Sequence, residues 1–181
     1  NSFDIDKFRN VFEETISMHI RSDVPVAATL SGGIDSTSIV GMVAKCCSLH
    51  ERLKTYSVYP PDTFDETFWI NKTIEYTGVE HEYVDLDLAN LVQTIDEIII
   101  KHDEPFQYPS CVFQYLLRKS VSERNIKVLL VGEGADEVLA GYRRIIFQYL
   151  LTLYGRKEMG EFLRVLRNSS LLMNNKPVDK I

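Results

Sequence analysis

With 181 residues, 45% of them hydrophobic and 25% charged, the chain has ample apolar mass for one compact core and is marginal for two domains. A net charge of −6, with lysines and arginines scattered among acids, lacks the basic footprint of a nucleic-acid binder, and no apolar run approaches the ~20 residues that cross a bilayer. Three cysteines, two of them adjacent (Cys46, Cys47) and the third at Cys111, form neither a CxxC pair nor an even disulfide framework, which points to a reducing, cytoplasmic setting.

The chain opens at Asn1, without methionine or a signal-like segment, which suggests a processed chain or a piece of a longer polypeptide. Phe8, Val11, Phe12, Ile16 and Ile20 recur at helical spacing and predict an amphipathic lead-in helix over 4–20, within a lead-in segment 1–22, capped by Ser2 or Asp4. "VPVAATL" (24–30) is a short apolar run ended by glycines, the pattern of a strand buried on both faces. "KTYSVY" (54–59), closed by Pro60 and Pro61, predicts a second strand, and "EYVDL" (82–86) a third, with a helix over 66–76 between them that ends near Gly78. Helical periodicity follows over 88–101 and 110–123, separated by "HDEPFQYPS". "KVLLVG" (127–132) is another apolar strand, and from Asp136 onward the chain reads as helical with a break around Gly155. Residues 143–181 are then a helical C-terminal extension ending in a polar tail. Strands alternating with helices predict an α/β fold, a parallel central sheet with helices on both faces, in a single domain over 1–181. Ligands of such sheets sit at the carboxyl ends of the strands, which selects the turns after Leu30 and after Val131.

In "SGGIDSTS" (31–38) a strand ends and a helix begins within a few residues, so the first helical amides have no carbonyl partner and can bind an anion. Gly32 and Gly33 leave the backbone open to a ligand, while Ser31, Ser36 and Thr37 offer hydroxyls to phosphate oxygens. Asp35 repels phosphate unless a divalent cation bridges the two, a role suited to magnesium. A plain glycine turn capped by Asp35 or Ser36 is the simpler alternative. There is neither a Walker lysine nor a GxGxxG. "VGEGADEVLAGY" (131–142) sets Glu133, Asp136 and Glu137 around Gly132 and Gly134. An acidic first turn serves the helix dipole and accounts for Glu137, but less well for Glu133.

The first element resembles the SGGxDS pyrophosphatase loop of ATP-pyrophosphatases, in a Rossmann-like, adenine nucleotide alpha hydrolase-like fold. GEGxDExxxGY is similar to the second signature of the asparagine synthetase family, in its synthetase domain. "DEPFQYPS" (103–110) resembles the family's DEPF segment and "FDE" (64–66) its acidic helix start, so the resemblance runs from Val24 to Tyr142. It implies ATP and Mg2+ as cofactors, with Ser31, Gly32, Gly33, Asp35 and Ser36 on the phosphates and Asp35 with Asp136 on the metal. Leu30, Val58 and Gly132 would meet the adenosine through backbone groups, and Glu133 would accept a proton from the attacking nitrogen. In related β-lactam synthetases the last position is tyrosine, so glutamate favours intermolecular amide formation.

The implied reaction is amide formation through an acyl-adenylate. Aspartate or another small carboxylate, ATP and ammonia or an amine react, AMP and pyrophosphate are released, and a glutaminase domain or subunit can supply the ammonia. No membrane or nucleic-acid partner is expected, and a tRNA-thiolating relative with the same loop is disfavoured by the missing basic face. The alternative is a catalytically incomplete ATP-binding sensor or assembly module, because no lysine after Tyr142 is assignable to catalysis: Lys157, Lys176 and Lys180 read as solvated. His19, His50, His81 and His102 have no metal-ligand spacing and read as surface or helix-end residues. Cys46 and Cys47 read as small core residues, and Tyr142 as a residue that packs or hydrogen-bonds near the site, packing being the first reading.

Overall fold

The computed structural model describes residues 4–46, 53–58, 66–85 and 89–173, with side chains to 169. Ser2, Cys47, His50, Tyr59, Pro60, Pro61, Phe64, Asp65, Leu86, Leu88, Lys176 and Lys180 lie outside them. The chain forms two compact units, 1–132 and 133–181.

The first unit opens with α1 (Ile5–His19), whose N-cap Asp4 accepts the Lys7 amide at 3.0 Å. There follow β1 (Val26–Thr29), α2 (Ile34–Cys46), β2 (Lys54–Val58), α3 (Thr67–Thr77), β3 (Glu80–Val84), α4 (Leu91–His102), α5 (Ser110–Glu123) and β4 (Val128–Leu130). Gly78 ends α3 in the left-handed conformation, φ 68°, returning its amide to the Ile74 carbonyl. That tight stop starts β3 at Glu80, two residues before its predicted place, and in register with Lys54.

All strand pairs are parallel, in the order β3-β2-β1-β4. Alternation along the strands divides the core in two. Ala28 and Leu30 pack with Val40 and Val43 of α2, Ile70 of α3 and Ile16 of α1 on one face; Ala27, Tyr56 and Val84 pack with Leu117 and Val121 of α5 on the other. This is the parallel sheet with helices on both faces expected from the sequence. The register brings the ends of β1, β2 and β4 side by side, so Leu30, Val58 and Gly132 share the carboxyl edge.

The second unit contains α6 (Ala135–Leu139), α7 (Arg143–Gly155) and α8 (Met159–Met173), with α7 packed on α8. The continuous helix expected from Asp136 to Gly155 is instead broken at Ala140, which is left-handed at φ 58°. The expected break near Gly155 is present, with Lys157 as the left-handed residue (φ 59°). Among the described residues no helix is long and apolar enough to cross a membrane.

Candidate active site

The turn between β1 and α2 is braced by its own serines. The Gly33 amide donates to Ser31 Oγ (3.3 Å), Ser31 Oγ lies 3.0 Å from Ser36 Oγ, and Ser36 Oγ donates to the Gly33 carbonyl (3.2 Å). The Ser31 amide also donates to Ser36 Oγ, at 3.1 Å. Because each hydroxyl has one proton, this ring commits both serines to holding the turn rather than to free donation. The anion-binding capacity therefore rests first on the opening amides of α2, at Ile34, Asp35 and Ser36, where the helix offers no carbonyl and its dipole is positive. One further polar atom in this turn, Thr37 Oγ1, is buried without a hydrogen-bond partner among the described residues.

Two glycines keep the turn open. A Cβ at Gly132 would lie 2.9 Å from the Ser36 amide nitrogen and 3.1 Å from Asp35 Cβ, so the missing side chain lets β4 end directly against the first turn of α2 and leaves that amide uncovered. Gly32 combines φ 78° with a Cβ position 2.9 Å from the Glu66 carbonyl and 3.3 Å from Trp69 Cβ, so α3 starts against the turn's other side. Leu30 is fully buried and serves as the floor: its amide donates to the Tyr56 carbonyl at 2.9 Å and its carbonyl accepts from Ser57 Oγ. Asp35 lies in the first helical turn, half-buried.

In the second unit Glu133 is exposed and precedes Gly134, which is left-handed at φ 94°. Asp136 and Glu137 occupy the first turn of α6. Residues that sequence reasoning left without a role explain their posture. A Cβ at Gly141 would fall 1.8 Å from Asp136 Oδ1, so only glycine leaves the Asp136 carboxylate where it is, and the Gly141 amide donates to the Asp136 carbonyl at 3.0 Å. Of the two readings of Tyr142, the structure shows the hydrogen bond. Its hydroxyl donates to Glu137 Oε1 at 2.8 Å, and that bond, with the nearby negative charge, raises the phenol above its ordinary range. The GY of the second motif thus orients its two acids, and the signal was the spacing of glycine and tyrosine after the acidic pair.

His19 and His102 end α1 and α4 as expected, whereas His81 departs from the surface reading. It lies on β3, where Thr55 Oγ1 donates to the Glu80 carbonyl and so must accept from His81 Nδ1 (both 2.9 Å). In the neutral ring Nε2 then carries no proton, and that atom is buried and without a partner among the described residues. Burial lowers its pKa, and the charge of Glu82 opposes that shift. Cys46 is half-buried, its Sγ 3.2 Å from Met42 Sδ. Among the described residues no three His, Cys, Asp or Glu side chains gather around a point. Magnesium favours a carboxylate together with phosphate oxygens, and Asp35, in the first turn of α2 beside the glycine-lined amides, is a donor of that kind.

The family model described as asparagine synthase matches residues 7–176, past both ends of the motif-bearing stretch from Val24 to Tyr142. A Methanocaldococcus jannaschii relative named for a glutamine-hydrolysing asparagine synthetase is 30% identical over 166 residues, covering 90% of this chain and 31% of its own length. Asparagine synthetase 1 of Bacillus subtilis is 34% identical over 139 residues, covering 76% of this chain and 21% of its own. The chain thus spans less than a third of either relative. Among solved structures, the U34-tRNA thiolase of Methanococcus maripaludis superposes with a TM-score of 0.53 over 87% of this chain and 53% of that one, at 17% identity, a likeness of fold.

Proposed function

The chain belongs to the asparagine synthase family, within the ATP-pyrophosphatase superfamily, and on that premise we propose that it binds ATP and forms an amide through an acyl-adenylate. The supporting observation is the cradle itself: helix amides at the carboxyl edge of a parallel sheet, kept uncovered by the missing Cβ of Gly132. The β- and γ-phosphates lie over the amides of Ile34 to Ser36, with Ser31, Gly32 and Gly33 shaping the turn around them. Asp35 would hold a magnesium ion, to which the family resemblance also assigns Asp136, and the ion would neutralise charge on the departing pyrophosphate.

Adenosine lies over the strand ends at Leu30, Val58 and Gly132. A substrate carboxylate, aspartate in the first instance, attacks the α-phosphorus, and pyrophosphate leaves. Helix amides that already point at the phosphates stabilise that charge without reorganising. Ammonia or an amine then attacks the acyl carbon and AMP leaves. The nitrogen must lose a proton as it bonds, and the Glu133 carboxylate takes it. A glutaminase domain or subunit is the partner that would supply ammonia.

The test is the identity of the products. The chain incubated with magnesium, ATP, aspartate and ammonium is expected to yield AMP and pyrophosphate in equal amounts. ADP with orthophosphate would overturn the proposal.

A further inference from the structure

Trp69 is the only tryptophan in the sequence, and it stands in the first turn of α3 with 61% of its surface exposed. Phe68 beside it is 55% exposed and meets the indole edge-on, ring centres 5.1 Å apart; Ile34, opening α2, is 80% exposed. Three large apolar side chains thus stand in water on the two helices that flank one turn, whereas single exposed apolar residues need no explanation. The placement is fixed by backbone: Gly32 lies so close to the start of α3 that a Cβ there would meet Trp69 Cβ at 3.3 Å. Trp69 therefore stands at the rim of the phosphate turn, against Gly32.

We infer that Trp69, backed edge-on by Phe68, is the stacking platform for the purine base of the nucleotide whose phosphates occupy the turn. This rests on the ATP reading above and adds a specificity residue to it. A nucleotide anchored by its phosphates on α2 and running over Val58 carries its base to the α3 side, where an indole face offers the contact that a flat heteroaromatic ring prefers. Leu30 is buried with its amide already bonded to the Tyr56 carbonyl, so that amide does not read the base. Stacking then supplies the affinity for the base.

The lone indole makes the test direct. Magnesium-ATP and inorganic tripolyphosphate are titrated into the chain and into Trp69→Ala, Trp69→Phe and Asp35→Asn, with binding followed by calorimetry and, where Trp69 is present, by its emission. The inference predicts that ATP changes the emission and tripolyphosphate does not. Trp69→Ala should weaken ATP roughly five- to a hundred-fold with tripolyphosphate affinity unchanged, and Trp69→Phe should keep most of the ATP affinity. If Trp69→Ala binds ATP like the parent while Asp35→Asn does not, the stacking role is overturned and the ATP reading survives. If the parent binds no ATP, both fall.

Discussion

Replacing Gly132 by alanine probes the contact that makes the cradle. Gly132 does not have a left-handed φ, so the change adds no backbone strain and acts through its methyl group alone. That methyl would sit 2.9 Å from the Ser36 nitrogen, 3.1 Å from Asp35 Cβ and 3.3 Å from the Asp35 carbonyl carbon, against ordinary contacts of about 3.5–4.0 Å. Two of these atoms are backbone and cannot rotate away, so β4 and α2 must separate by several tenths of an ångström. Overpacking of this kind costs about 1–3 kcal/mol. At about 2–4 °C per kcal/mol for a chain of this size, the melting temperature falls by roughly 2–12 °C. The same methyl covers the Ser36 amide, so ATP binding weakens as well. Gly41→Ala is the matched control: it lies within α2 with nothing inside 4 Å of the new Cβ, and it gains about 0.5–1 kcal/mol from helix propensity. Urea and thermal unfolding with ATP titration of both variants reads the outcome. A Gly132→Ala chain that melts and binds like the parent would refute the seating of α2 on the strand end.

Gly141→Ala is expected to lose magnesium-dependent turnover, because its Cβ displaces the Asp136 carboxylate, and to melt below the parent, because the Asp136 Cα lies at 3.3 Å as well; parent-like turnover would contradict the positioning role. His81 gives a pH signature. Its folded-state pKa is lowered by burial, so the unfolded chain binds the proton more readily, and stability is full above the ordinary imidazole range near about 6.5 and declines as pH falls through it. His81→Phe should flatten that decline in unfolding measured between pH 8 and pH 5, and an unchanged slope would exclude His81 as its source. Tyr142→Phe removes the bond to Glu137, and crystallography of that variant should find the Glu137 carboxylate displaced.

Much of the first unit was legible because its signals are local. Apolar runs ended by glycine marked β1 and β4, the positive φ of Gly78 ended α3 where glycine predicted, and helix α5 begins and ends at the predicted residues Ser110 and Glu123. What escaped depended on partners distant in sequence or on conformations the residue type hides. Ala140 is a strong helix former, so nothing in its identity announces the left-handed turn that lets Gly141 make room for Asp136. His81 sits in a polar-looking stretch, and only its pairing with Thr55 on the neighbouring strand makes it a half-buried imidazole whose Nδ1 is bonded. The serine hydroxyls were expected to donate to phosphate, but their closed ring with Gly33 appears only once the turn is folded. The role of Gly132 required knowing that β4 lies beside β1, a fact of strand order.

On the proposed reading, the turn from Ser31 to Ser36 holds the triphosphate of ATP with a metal recruited by Asp35. Calorimetric titration of magnesium-ATP into the purified chain, with Asp35→Asn alongside, tests it most directly. The expected result is saturable binding by the parent, lost or greatly weakened in the variant and in the absence of magnesium. Equal binding by the two chains, or none by the parent, would contradict it.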